Sequence, residues 1–173
     1  PTLKRYHYFV KEKEYLSQFD YIYYMDVDMR IEGKVGDEIF GDLVATQHPG
    51  FWWKNKAEYS YERRSESTAF IPYDEGEMYY AGGFNGGKPE HFLKMAQTIV
   101  DNVEKDFEKG LIAVWHDESH MNRYLVSNPP TLALNPSYCY PENVRVNPNG
   151  WHVPFEPKIV ALDKNHAEVR SES

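Results

Sequence analysis

The segment from Pro89 to Gly110 most limits how this chain can fold. Phe92, Leu93, Ala96, Ile99, Val100, Val103 and Phe107 recur every three or four residues, the period that places apolar side chains on one face of an α-helix. Pro89 suits a helix start and Gly110 a helix end. A helix with one apolar face needs a second layer to cover it, and the chain supplies strands for that layer. Tyr21-Ile22-Tyr23-Tyr24-Met25 reads as a buried strand and Leu43-Val44-Ala45-Thr46 as a second. Ala69-Phe70-Ile71 reads as a short third, ended by Pro72, and a further strand lies near Ile159 to Leu162. Two more helices are expected. One runs from residue 2 to about 19, with Leu3, Tyr6, Phe9, Val10 and Leu16 as a rough apolar face, and one from Glu118 to Val126. Helices alternating with strands predict an α/β layer fold, and 173 residues suffice for one domain with a real core.

Charge and cysteine content exclude several classes. The net charge is −8 and no block of basic residues exists, so the positive stripe of a general nucleic-acid binder is missing. Cys139 is the single cysteine, which excludes internal disulfides and cysteine-rich zinc sites. There is no apolar run of about 18 residues to span a membrane, and no signal peptide. The chain is 16% aromatic, with 14 Tyr and 4 Trp. Rings with polar tips fill cores, and they also line sites for sugars, bases or peptides. Many of them fall in the long polar stretch from His48 to residue 66, the kind of loop that carries binding on a rigid scaffold.

Four short constellations carry chemistry. Asp26-Val27-Asp28 follows the first apolar strand. On a strand, carboxylates at i and i+2 share a face, where they repel unless a divalent cation such as Mg²⁺ or Mn²⁺ takes up their charge. WHDESH, residues 115–120, spaces His116 and His120 as a helical zinc pair would, but the Glu that a zinc protease needs directly after the first His is displaced to Glu118. Asp117 and Glu118 then read as acids at a helix start, favoured by the macrodipole. AGGFNGG, residues 81–87, lets a backbone come close to a ligand or simply turn, and it matches neither a P-loop nor a dinucleotide fingerprint. The tail KNHAEVR offers Lys164, His166 and Arg170, which read either as a solvated terminus or as cations that fold over phosphates.

The order of the motifs DVDM, HPGFWW, YERR, FIPYDEGEMYYAGGFNGG, AVWHDESHMNRYL and DKNHAEVR resembles glycosyltransferase family 6, across about residues 2 to 171. That family contains the histo-blood-group A and B transferases, the α1,3-galactosyltransferase, and bacterial and phage relatives. The resemblance implies a GT-A fold and a retaining, metal-dependent transfer of N-acetylgalactosamine or galactose from a UDP-sugar to the 3-hydroxyl of a β-galactoside, with or without fucose. It implies that Asp26 and Asp28 bind Mn²⁺ and the UDP diphosphate. It makes Glu118 the catalytic residue, either as nucleophile or as stabiliser of an oxocarbenium-like state, and Asp117 the acid that bonds donor sugar hydroxyls. Trp115, His48 and Ser60 match acceptor-side residues, and Arg5 a donor-binding arginine. Ala81 and Gly83 match the positions that tune donor choice, their small size favouring UDP-N-acetylgalactosamine over UDP-galactose. Val27 and Gly82, inside these motifs, join the donor-binding set. Lys164 and Arg170 match cations that close over the UDP phosphates.

The same resemblance sets expectations about the chain as a whole. Residues 1–173 are expected to be a single catalytic domain, the C-terminal majority of a GT-A domain without its first nucleotide-binding strands. A bacterial or phage-type member without an anchor would be cytoplasmic, unless an anchor went with the missing N-terminus. Two other functions use the same residues: a non-catalytic glycan-binding module, and a metal-dependent UDP-sugar hydrolase.

Overall fold

The computed structural model describes residues 2–145 and 153–163. After a 3₁₀ turn at Thr2–Lys4 come α1 (Arg5–Lys11) and α2 (Lys13–Leu16), then β1 (Ile22–Met25), β2 (Met29–Ile31) and β3 (Leu43–Gln47). β4 (Tyr80–Gly87), α3 (Pro89–Glu108) and α4 (His116–Ser127) follow, and β5 (Leu132–Leu134), β6 (Tyr140–Pro141) and β7 (Ile159–Ala161) complete the set. Four strands form an open mixed sheet in the order β1-β4-β3-β5, and three form a smaller one in the order β2-β7-β6. β4 runs antiparallel to both of its neighbours, while β3 and β5 are parallel. The α/β layering read from the sequence is therefore present.

Period-two alternation explains how β3 divides the interior. Leu43 and Ala45 join a first core with Tyr6, Phe92, Ile99, Val103 and Met121 from the helices. Val44 points the other way, into a second core with Met29, Ala81, Phe84, Leu134 and Ile159. The long helix ends as its sequence predicts. Gly110 adopts φ +68°, its N–H bonds the Phe107 carbonyl at 2.9 Å, and the Leu111 N–H reaches the Asp106 carbonyl at 2.8 Å, the two bonds of a Schellman cap.

Several expectations are corrected. The first helix is broken at Glu12 and ends at Leu16 rather than near 19. Residues 69–71 form no strand beyond an isolated Glu62–Phe70 bridge, because the preceding turn folds around Asp106, which accepts from the Thr68 N–H and the Ser67 hydroxyl. AGGFNGG is a buried strand, not a turn. Asp26-Val27-Asp28 lies past the end of β1, in a turn closed by the Met29 N–H to the Asp26 carbonyl at 3.1 Å. The chain must turn there to pass from the larger sheet into the smaller one, so strand alternation no longer decides where the two carboxylates point.

Candidate active site

The carboxyl end of β1 and the first half of β4 meet α1 and α4 at one cleft of about 180 Å³, lined by Arg5, Asp26, Gly82, Gly83, Trp115, His116, Asp117 and Glu118. In open α/β sheets the crevice beyond the carboxyl ends of strands is where ligands bind. A bulge in β4 shapes its floor. Ala45 faces Asn85 but Thr46 faces Ala81, so Gly82, Gly83 and Phe84 have no opposite residue in the β3 ladder. Their backbone groups turn to other partners. The Gly82 carbonyl accepts from Arg5 Nη1 and Asn85 Nδ2, each at 3.0 Å. The Gly83 carbonyl accepts from the Asp26 N–H at 2.9 Å, and the Phe84 carbonyl from the Thr46 hydroxyl at 2.9 Å.

Arg5 is the hub of the cleft. Its Nε lies 2.8 Å from Asp117 Oδ2 and its Nη2 3.6 Å from Asp26 Oδ1, and the guanidinium covers the Tyr24 ring at 4.3 Å. The Tyr24 hydroxyl donates to Asp26 Oδ1. Burial pushes the Asp117 carboxyl up to about 6, with Arg5 pulling the other way.

Glu118 is held at both oxygens, by the Tyr79 hydroxyl on Oε1 and the Gly82 N–H on Oε2, each at 2.8 Å. Burial raises its carboxyl to about 7 against the pull of these two donors. The backbone that presents it is strained. His116 has φ +52°, rare for a residue with a side chain, and this kink starts α4 two residues earlier than its sequence suggests. Asn122, one turn after Glu118, fixes the helix to β4. Its Oδ1 accepts from the Tyr80 N–H at 2.9 Å, and its Nδ2 donates to the carbonyls of Tyr80 at 2.8 Å and Glu118 at 3.0 Å.

The sequence-derived residues divide by place. Arg5, Asp26, Gly82, Gly83, Trp115, Asp117 and Glu118 come together at the cleft. Asp28 stands in the adjoining turn. The carboxylates of Glu118, Asp26 and Asp28 all act on the buried Cys139 thiol, whose pKa rises through burial first and these charges next. Val27, at the tip of the turn, is fully exposed. Ala81 packs in the second core and is not among the cleft residues. The space beside Gly83 is not open: a Cβ there would meet Met29 Cε at 2.5 Å and Cys139 Sγ at 3.4 Å. His48 reaches the cleft indirectly, edge-on to the Tyr79 ring at 5.5 Å. Ser60 sits in the aromatic loop between Tyr59 and Tyr61 and is not among the residues that line the cleft. His116 and His120 diverge, His116 at the cleft and His120 buried 3.8 Å from Asp106, so they form no metal pair. Lys164 and Arg170 lie outside the described residues.

Tyr24, Tyr79 and Asn122 were not singled out from the sequence. The spacing of Asn122 from Glu118, i+4 on one helix face, and of Tyr24 from Asp26, i and i+2, are the signals that could have found two of them. Tyr79 carries no such signal beyond its place before the glycines.

Comparison with known proteins gives the family. The family model for glycosyltransferase family 6 matches residues 4–171. The histo-blood group ABO system transferase 1 of Rattus norvegicus is 38% identical over 161 residues, covering 92% of this chain and 45% of the relative. The globoside alpha-1,3-N-acetylgalactosaminyltransferase 1 of Gallus gallus is 33% identical over 154 residues, covering 89% of this chain and 44% of the relative. The O-antigen biosynthesis glycosyltransferase WbnI of Escherichia coli is 33% identical over 165 residues, covering 94% of this chain and 67% of the relative. The chain thus spans less than half the length of the two animal relatives. The family model covers nearly all of the chain, and on that ground the chain belongs to glycosyltransferase family 6.

Proposed function

We propose that this chain carries the catalytic cleft of a retaining α1,3-glycosyltransferase of the GT-A type. It would move N-acetylgalactosamine or galactose from a UDP-sugar to the 3-hydroxyl of a β-galactoside. The observation that carries the reading is the doubly held carboxylate of Glu118 beside the Arg5–Asp117 pair, in a chain whose relatives include a named α1,3-N-acetylgalactosaminyltransferase. Burial raises the Glu118 carboxyl to about 7, and a carboxylate perturbed in this way inside a cleft supports the catalytic reading.

Each residue then has a task. The Glu118 carboxylate faces the positive charge that develops at the anomeric carbon, on the face that a retaining reaction uses. Asp117, oriented by Arg5, accepts hydrogen bonds from donor sugar hydroxyls. Gly82 keeps that wall of the cleft free of a side chain beside Glu118 and Arg5 so that the sugar can approach the backbone. Trp115, half exposed, offers an apolar face to a galactose ring. His48 Nδ1 accepts from the Gly50 N–H at 2.9 Å, and burial lowers its pKa to about 4. It is therefore neutral with its proton on Nε2, ready to donate to an acceptor hydroxyl.

Asp26 and Asp28 fit a hard divalent cation such as Mn²⁺. The donors are oxygens, and such ions take one or two carboxylates and complete their shell with phosphate oxygens and water. Among the described residues no three His, Cys, Asp or Glu side chains gather into a metal cluster, so among these residues Asp26 and Asp28 are the two that would hold the ion. The ion would supply charge neutralisation for the departing diphosphate. No described helix is long and apolar enough to cross a membrane.

The deciding experiment measures UDP release from UDP-N-acetylgalactosamine and UDP-galactose, with Mn²⁺ or EDTA, with and without a fucosylated β-galactoside. Release that needs Mn²⁺, rises with acceptor and collapses in Glu118→Gln is the expected result. Release indifferent to acceptor would replace this reading with a hydrolase, and none from either donor would leave a glycan-binding module.

A further inference from the structure

Glu118 Oε1 accepts its hydrogen bond from a residue that is itself clamped. Tyr79 is 2% exposed. Its ring stacks on Tyr61 at 5.2 Å and packs against Phe51 at 4.6 Å, with His48 edge-on at 5.5 Å. Its carbonyl accepts from the His48 N–H at 2.9 Å, so backbone and ring are both gripped by the segment after β3. The same segment ties down the two residues before Tyr79. The Tyr59 hydroxyl donates to the Glu77 carbonyl at 3.2 Å and the Tyr61 hydroxyl to the Met78 carbonyl at 2.8 Å. An aromatic cage of this kind leaves the Tyr79 hydroxyl one direction to point.

Resting on the transferase reading, we propose that Tyr79 is a positioning residue for Glu118. Its hydroxyl, aimed by the aromatic loop of residues 48–61, fixes the carboxylate in place and keeps it ionised. The loop contributes to the chemistry through this contact, without touching the reacting atoms. A hydroxyl that donates to a carboxylate favours the charged form, and here that effect opposes burial. The other groups that bear on Glu118 are its neighbour Asp117, Arg5 and Tyr6 from α1, and the Cys139 thiol. Of these, Arg5 alone is cationic and it is shared with Asp117 and Asp26. The two neutral donors, Tyr79 and Gly82, therefore matter to the ionised state, and only Tyr79 can be changed without altering the backbone.

Tyr79→Phe keeps the ring in its cage and removes the one hydrogen bond. The pH profile of kcat in wild type is expected to rise with the ionisation of Glu118. In Tyr79→Phe that acid limb should move up by about one pH unit, which lowers kcat about tenfold below the limb, while the donor KM changes less than about twofold. A role in packing alone would lower Tm and leave the limb where it was, and an unmoved limb overturns the proposal. A second measurement does not depend on turnover. Carboxyl carbon NMR titration of ¹³C-Glu protein, with the Glu118 signal assigned by its loss in Glu118→Gln, should give a higher pKa in Tyr79→Phe than in wild type. Equal values overturn the proposal even if the wild type transfers no sugar, whereas wild-type inactivity with both donors would sink the transferase reading alone.

Discussion

Asp117 and Glu118 are adjacent in sequence, and burial raises the carboxyls of both, to about 6 and about 7. Each therefore holds its proton in the folded state to a higher pH than in the unfolded chain. Between the unfolded value near about 4 and the folded one, the folded state binds more protons, so stability falls as pH rises through that window. For Glu118 the loss between pH 4.5 and 7.5 is expected to be about 3 kcal/mol, of the order that a shift of this size implies. Urea unfolding of wild type and Glu118→Gln across that range checks it. The wild-type curve should lose about that much stability relative to the variant, and parallel curves would mean that Glu118 is not strained by burial. Arg5 is the residue that makes the buried Asp117 charge tolerable, at 2.8 Å. Arg5→Ala should destabilise the fold by about 3 kcal/mol, because it leaves a buried acid unpaired. Arg5→Lys should recover only part of that, since one ammonium cannot serve Asp117, Asp26 and the Gly82 carbonyl with the spread of a guanidinium. Chemical denaturation at pH 7 distinguishes these outcomes.

At the scale of elements, the parts set by local period were legible in the sequence and the parts set by contact were not. α3, β1 and β3 follow from apolar spacing, and Gly110 ends α3 through its own backbone preference. AGGFNGG reads either as backbone that a ligand can approach or as a turn, since glycine-rich runs often are turns. It folds as a strand because its neighbours come too close for side chains. A Cβ on Gly86 would strike the Ile22 carbonyl and one on Gly87 the Asp42 carbonyl, contacts that no local pattern reveals. Gly82 differs, since its Cβ would meet Glu118 and Arg5 side chains at 3.4–3.7 Å, an ordinary contact. Gly86→Ala is accordingly expected to prevent β1 from pairing with β4 and to abolish cooperative unfolding. Gly82→Ala should keep its melting temperature within a few degrees and place a methyl over the Glu118 carboxylate. Thermal melts followed by circular dichroism separate the two, and similar melts for both variants would refute the difference in backbone approach. The start of α4 was missed for a related reason. His116 takes a left-handed conformation that the sequence does not announce, and it persists because Asn122 and the Glu118 contacts hold the helix to β4.

At the scale of the molecule, the candidate site joins residues as far apart as Arg5 and Glu118, and only the motif order in the sequence hinted at their meeting. The Asp26–Asp28 turn is also the join between the two sheets. The Asp26 N–H bonds the Gly83 carbonyl in the larger sheet, and the Asp28 carbonyl accepts from the Leu162 N–H, just past β7 of the smaller one, at 2.9 Å each. Carboxylates placed on such a joint couple ligand binding to the stability of the whole fold. Any ligand that binds only the folded chain stabilises it by mass action, by about 2.7 kcal/mol at a hundred times its Kd. For a domain of this size that corresponds to a rise in Tm of several degrees. Mn²⁺ with UDP is therefore expected to raise Tm, and EDTA to reverse the rise. Asp26→Asn and Asp28→Asn should melt near wild type without ligands and lose most of the shift with them. The Asn side chains keep the size of the turn but not the charge that a hard cation needs. Differential scanning calorimetry on the three proteins, with UDP alone and with UDP plus Mn²⁺, reads the outcome. An undiminished Mn²⁺-dependent shift in both variants would remove Asp26 and Asp28 from any role in holding the ion.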